Sequence, residues 1–157
     1  MDFSLTALAQ LSLDFVEEID MITQKSEQFL KRFQAEEQIR FSDAAQIKKQ
    51  YLAPYAELVT SLVSSLERSD ALGMRLSALF AAADCHGAIE HMPRVERLWA
   101  AYEQYRTDLC EFLASSQRYF SDQDLLSTKG TAPIVSATRT LVASQRRAED
   151  CFAKESI

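Results

Sequence analysis

Ten residues of this 157-residue chain, ADCHGAIEHM at 83–92, hold both of its histidines, one of its three cysteines and two carboxylates. As a metal site they offer Cys85, His86, Glu90 and His91. His86 and Glu90 stand one helical turn apart, a spacing that lets both face one ion. Two features count against it. A carboxylate di-iron bundle needs paired E-x-x-H elements on separate helices, which the chain lacks. Gly87 also falls between the candidate ligands, where a helix is least rigid.

As a nucleophile, Cys85 needs a base and an oxyanion hole. Its neighbour His86 projects about 100° away on a helix, and no glycine-rich turn lifts the thiol. The chain contains no Walker loop, G-x-S-x-G, G-x-G-x-x-G or H-E-x-x-H. The pairs Glu17–Glu18 and Glu36–Glu37 diverge on any helix and read as solvated faces. The order His86, Gly87, Pro93 is instead that of a helix stop: a polar last turn, a left-handed glycine, and a proline opening the next element. No catalytic residue, metal ligand or cofactor is assigned on this reading.

Two further groups have the chemistry of recognition. Trp99, Tyr102 and Tyr105 combine apolar bodies with polar tips, which suits a core and an interface equally. Arg139, Arg146 and Arg147 form the best basic patch for recognition, free of acidic neighbours over 129–148, with 139 and 146 two turns apart on one helical face. Such a patch suits an acidic protein partner, the chain's own acidic N-terminal segment, or an anionic membrane surface.

The elements that must position these residues are helices. Three glycines and three prolines are too few for a sandwich or barrel, which needs a turn every eight to twelve residues. From Leu8, positions 8, 12, 15, 19, 22, 26, 29 and 33 alternate steps of four and three, and six of these eight are apolar. That spacing approaches a heptad seam and predicts a helix over 4–38, long enough to extend into a coiled-coil-like dimer seam. Ser42 or Asp43 is placed to cap a second helix over 43–53. A third, over 54–87, follows a kink or restart that Pro54 imposes by depriving the residue 50 carbonyl of its donor. Around Ser69 and Gly73, RSDALG is either a connection or a stretch of continuous helix whose small residues admit a close neighbour, and the apolar phase kept across it favours the second.

A fourth helix over 93–121 carries a broad arc, Leu98, Tyr102, Tyr105, Leu109 and Phe112 with Trp99, Leu113 and Phe120, and belongs at the centre of a bundle. The short connection before it predicts antiparallel packing on 54–87. Residues 121–133 have loop composition. The last helix, 133–154, shows a thinner stripe through Ile134, Thr138, Leu141, Gln145, Ala148 and Phe152, and is expected to be the most loosely held.

The expectation is a single all-α domain over 1–157, an antiparallel bundle of four to five long amphipathic helices. Its net charge of −6 argues against nucleic-acid binding. Residues 1–20 carry five acids and no base, whereas 129–148 carry four bases and no acid, so the two ends attract each other or a second copy. Three widely spaced cysteines without a C-x-x-C, and an acidic, weakly apolar N-terminus, predict a reduced, soluble, cytoplasmic protein. The functional expectation is a non-catalytic protein–protein interaction module, an adaptor, chaperone-like or assembly domain that binds a protein partner and is compatible with a homodimer. The alternatives are a membrane-apposed bundle using the basic C-terminal helix, and a metal-dependent enzyme centred on 85–91.

Overall fold

A computed structural model of the chain describes residues 3–34, 46, 48–85, 89–122, 125 and 128–156. Four long helices make up the fold: α1 (Leu5–Gln34), α2 (Ala53–Cys85), α3 (Met92–Ser121) and α4 (Ala132–Glu155). No strand occurs among the described residues. The expected caps at Ser42 or Asp43 and the glycine stop at Gly87 lie outside the described residues, as do residues 43–45 and 47 of the expected helix over 43–53.

Local chemistry explains the boundaries that are visible. Ser4 opens α1 by accepting the Ala7 amide on its hydroxyl at 3.0 Å, and Lys31 and Arg32 stand in the last turn, where the helix dipole favours cations. Before α2 the chain makes one π-helical turn, Lys48–Leu52. Pro54, in the first turn of α2, has no N–H to offer the Gln50 carbonyl. Arg32 of α1 supplies the replacement donor, its Nη2 lying 3.1 Å from the Gln50 oxygen. The restart expected near Pro54 is therefore present, with a named compensation. Pro93 likewise sits in the first turn of α3.

Every neighbouring pair of helices runs antiparallel. Glu18 and Asp14 of α1 meet Arg68 and Arg75 of α2, each at 2.9 Å. Asp70 and Tyr55 of α2 meet Arg106 and Ser116 of α3. Arg94 and Asp108 of α3 meet Glu155 and Ser144 of α4. Phe15 and Asp20 of α1 meet Phe152 and Arg146 of α4, closing an up-down-up-down ring.

All eight positions of the four-three stripe in α1 are buried, serines 12 and 26 included. The stripe faces the bundle's own interior. Aromatic rings fill both ends. Phe29, Phe33, Tyr51, Tyr55 and Phe120 form one cluster, with Tyr55 stacked on Phe120 at 4.0 Å between centroids. Phe15 stacks on Phe152 at 4.1 Å toward the other. Helix α2 is continuous through Ser69 and Gly73, both buried. A Cβ on Gly73 would lie 2.7 Å from the Tyr102 ring, so glycine is what lets α2 and α3 approach at that level.

The final helix corrects one expectation. Its stripe reads thin in hydropathy, but α4 is wedged between α1 and α3 and buries Ile134, Val135, Thr138, Leu141, Ser144, Gln145, Ala148 and Phe152. Thr138 and Ala148 are small, and small residues allow close approach rather than weak packing. The last helix is an integral wall of the bundle.

Candidate functional site

The histidine segment does not assemble into a site. Cys85 ends α2 with its side chain exposed, His86 lies outside the described residues, and His91, just before α3, is stacked on the Phe3 ring at 5.5 Å. Its Nε2 is 3.4 Å from the adjacent Glu90 carboxylate, which is open to solvent. Among the described residues no three His, Cys, Asp or Glu side chains converge as metal ligands.

The basic patch is divided rather than gathered. Arg146 turns inward to α1, where Nη2 donates to Glu27 at 2.8 Å and Nη1 to Asp20 at 3.2 Å; Nη1 also reaches Glu149 at 2.8 Å. These carboxylates hold its pKa above the ordinary arginine value, the Glu27 bond foremost. The acidic N-terminal helix thus claims the central arginine, one of the three destinations its chemistry allowed. Arg147 is exposed and stands 4.0 Å from Asp108, and Arg139 is exposed on the outer side of α4.

The aromatic trio is also split, and the split is informative. Tyr105 is buried at the centre, its hydroxyl beside Ser65 and Ser69 but aligned for a hydrogen bond with neither; burial raises its pKa. Tyr102 lies over Gly73 and donates its hydroxyl to Asp70. Arg106 grips the same carboxylate through Nε and Nη2, at 3.0 and 3.3 Å. Burial pushes the Asp70 pKa up, but Arg106 and Tyr102 together outweigh it and leave the carboxyl below its ordinary value. Burial and the adjacent Asp70 raise Tyr102 in turn.

Trp99 alone is left at the surface. It leans on Tyr102 at 5.4 Å and 50°, and with Phe80, Ser77 and Glu96 it lines a groove of about 240 Å³ between α2 and α3. Trp99 and Phe80 are half-buried, and Met74, one turn before Ser77 on the same outer side of α2, is 76% exposed. One exposed apolar residue is ordinary; two large rings half-open along one groove with an exposed methionine nearby are less so. Asp84, Glu96 and Glu103 are exposed and meet no basic side chain among the described residues.

A larger cleft, about 320 Å³, lies between α1 and α2 and is lined by Lys25, Arg32, Phe29, Glu57, Leu58 and Ser61 among others. Its cations are engaged: Arg32 holds the Gln50 carbonyl, and Lys25 is 3.4 Å from the Ser61 hydroxyl. The α2–α3 groove is the better candidate because its apolar and charged groups have no such partners.

Trp99, Tyr102 and Tyr105 were legible from sequence as aromatics with polar tips, but only Trp99 faces out. The signal that separates them is helical phase, since Trp99 falls about 100° from Leu98, off the arc that Tyr102 and Tyr105 continue. Met74, Glu96 and Glu103 are off the apolar stripes in the same way, and Phe80 reads from sequence as core. No family model, no curated protein and no solved structure matches the chain, so the assignment of this surface rests on its own chemistry.

Proposed function

We propose that this protein is a non-catalytic protein–protein interaction module, an adaptor, chaperone-like or assembly domain that docks its partner on the α2–α3 groove. One observation carries the reading: Phe80 and Trp99 line a partly open apolar groove between α2 and α3, with the exposed Met74 one turn from its lining residue Ser77. Covering such a strip on binding stabilises a complex by roughly 25 cal/mol per Å² removed from water, before the cost of association is subtracted. A reducing, cytoplasmic setting belongs to the reading, with Cys85, Cys110 and Cys151 as free thiols.

The membrane alternative through Arg139, Arg146 and Arg147 is disfavoured because Arg146 is already neutralised by three carboxylates. The described helices also include none long and apolar enough to cross a membrane.

The test is affinity capture from the host lysate with wild type, Met74→Glu and Trp99→Ala, each checked for helix content by circular dichroism. The expected result is a partner retained by wild type and lost by both variants. A partner set indifferent to both substitutions overturns the docking surface, and an absence of any partner overturns the function.

A further inference from the structure

The groove has a sign as well as a shape. On the α3 wall, Glu96 and Glu103 flank Trp99 at positions i−3 and i+4 of one helical face. On the α2 wall, Asp84 follows Phe80 by one turn. All three acids are exposed and unneutralised, as noted above. The nearby cations are committed elsewhere. Arg106 is held by Asp70 and Arg75 by Asp14, while Arg94 and Arg97 turn toward α4, the first to Glu155 and the second near Cys151. Among the described residues, the uncommitted charges beside the apolar floor are therefore acidic.

Its length is also defined. From Met74 to Asp84 is ten residues of helix, about 15 Å at 1.5 Å per residue, or nearly three turns. The seat is a furrow between two antiparallel helices with no sheet edge beside it. Such a furrow takes a third helix, side chains into grooves, and offers no backbone ladder to an extended strand. The floor is rigid, because Tyr102 under Trp99 is tied to Asp70 and lodged over Gly73.

Resting on the docking role proposed above, we infer that the groove's occupant is a cationic amphipathic helix of a protein partner. Its apolar face lies on Phe80, Trp99 and Met74. Its lysine or arginine side chains reach Asp84, Glu96 and Glu103, with one cation positioned over the Trp99 ring, where the ring's quadrupole attracts it.

Trp99 is the sole tryptophan of the chain, so its emission reports from the groove alone. The probes are two synthetic 18-residue helical peptides with the same leucine face, one bearing lysines and the other glutamates on its polar face. The lysine peptide is expected to shift Trp99 emission and to bind at least tenfold more tightly, an advantage that falls as salt is raised. Glu96→Lys with Glu103→Lys should reverse the ranking, and Glu96→Gln with Glu103→Gln should level it without introducing new repulsion. Equal binding of both peptides, lost in Met74→Glu, overturns the cationic occupant while leaving the docking role intact. If neither peptide moves Trp99, the helical occupant is wrong, and the lysate capture then decides separately whether the surface docks anything. A sedimenting dimer that Met74→Glu dissociates makes the occupant a second copy of the chain. An emission shift on anionic but not neutral vesicles makes it a lipid surface. Either result overturns the inference.

Discussion

The α1–α4 seam and the α2–α3 seam are built from similar parts and end differently. At α1–α4 an aromatic pair, Phe15 on Phe152, is sealed inside, and outside it one arginine is saturated by three carboxylates. At α2–α3 the aromatic pair is Trp99 on Tyr102, with half of it outside, and the arginine there neutralises a single acid while three others stand open. The first seam has used its recognition chemistry on the molecule itself. The second has kept some, and the difference separates a structural joint from a docking surface.

The contrast can be broken most forcefully at the sealed seam. Phe15→Ala removes a fully buried ring and should cost about 3–5 kcal/mol in chemical denaturation; Trp99→Ala should cost far less, because its ring is only half-buried. Equal losses would erase the distinction. Next in size is Gly73→Ala. Alanine gains about 1 kcal/mol of helix propensity, but its Cβ pushes into Tyr102, an overpacking worth about 1–3 kcal/mol, and strains the Asp70 bond. A net loss of about 1 kcal/mol is expected, with perturbed Trp99 emission.

Arg146→Met sharpens the comparison. It leaves Asp20, Glu27 and Glu149 facing one another, but the site is more than a third open to water, so screening limits the loss to about 1 kcal/mol. The deficit should shrink in high salt. The smallest effect is that of pH. The folded-state pKa of Asp70 is lowered, so its bonds to Arg106 and Tyr102 stabilise fully above the ordinary carboxylate value near 3.8 and fade as pH falls through the lower folded value. The stability gap between wild type and Asp70→Asn should therefore be constant near neutrality and narrow below about pH 4.

The fold was legible because burial follows period. The stripe from Leu8 to Phe33 and that from Leu98 to Phe120 announce their helices through local spacing alone. Ser69 and Gly73 gave away the close approach of α2 to α3 because only small residues keep an apolar phase at such contact. The tightness of α4 was hidden, since Thr138, Gln145 and Ala148 look weak until two neighbouring helices are placed around them. The candidate site was hidden for a related reason. Arg146 finds Glu27 and Asp20 at 119 and 126 residues' separation, and no local pattern foretells which carboxylates remain unclaimed once such pairs form.

Midway along the bundle, Gln145 is wholly enclosed and its amide makes no hydrogen bond among the described residues. Gln145 lies between Ser144, joined to Asp108, and Arg146, joined to Asp20, so this layer marks one longitudinal alignment of the four rods. Those two flanking bonds fix the alignment, because a one-turn slide breaks both, whereas the unpaired amide at 145 only costs stability. The molecule carries its own ruler in the residues on either side, and Gln145→Leu should yield a sturdier protein whose rods keep the same alignment.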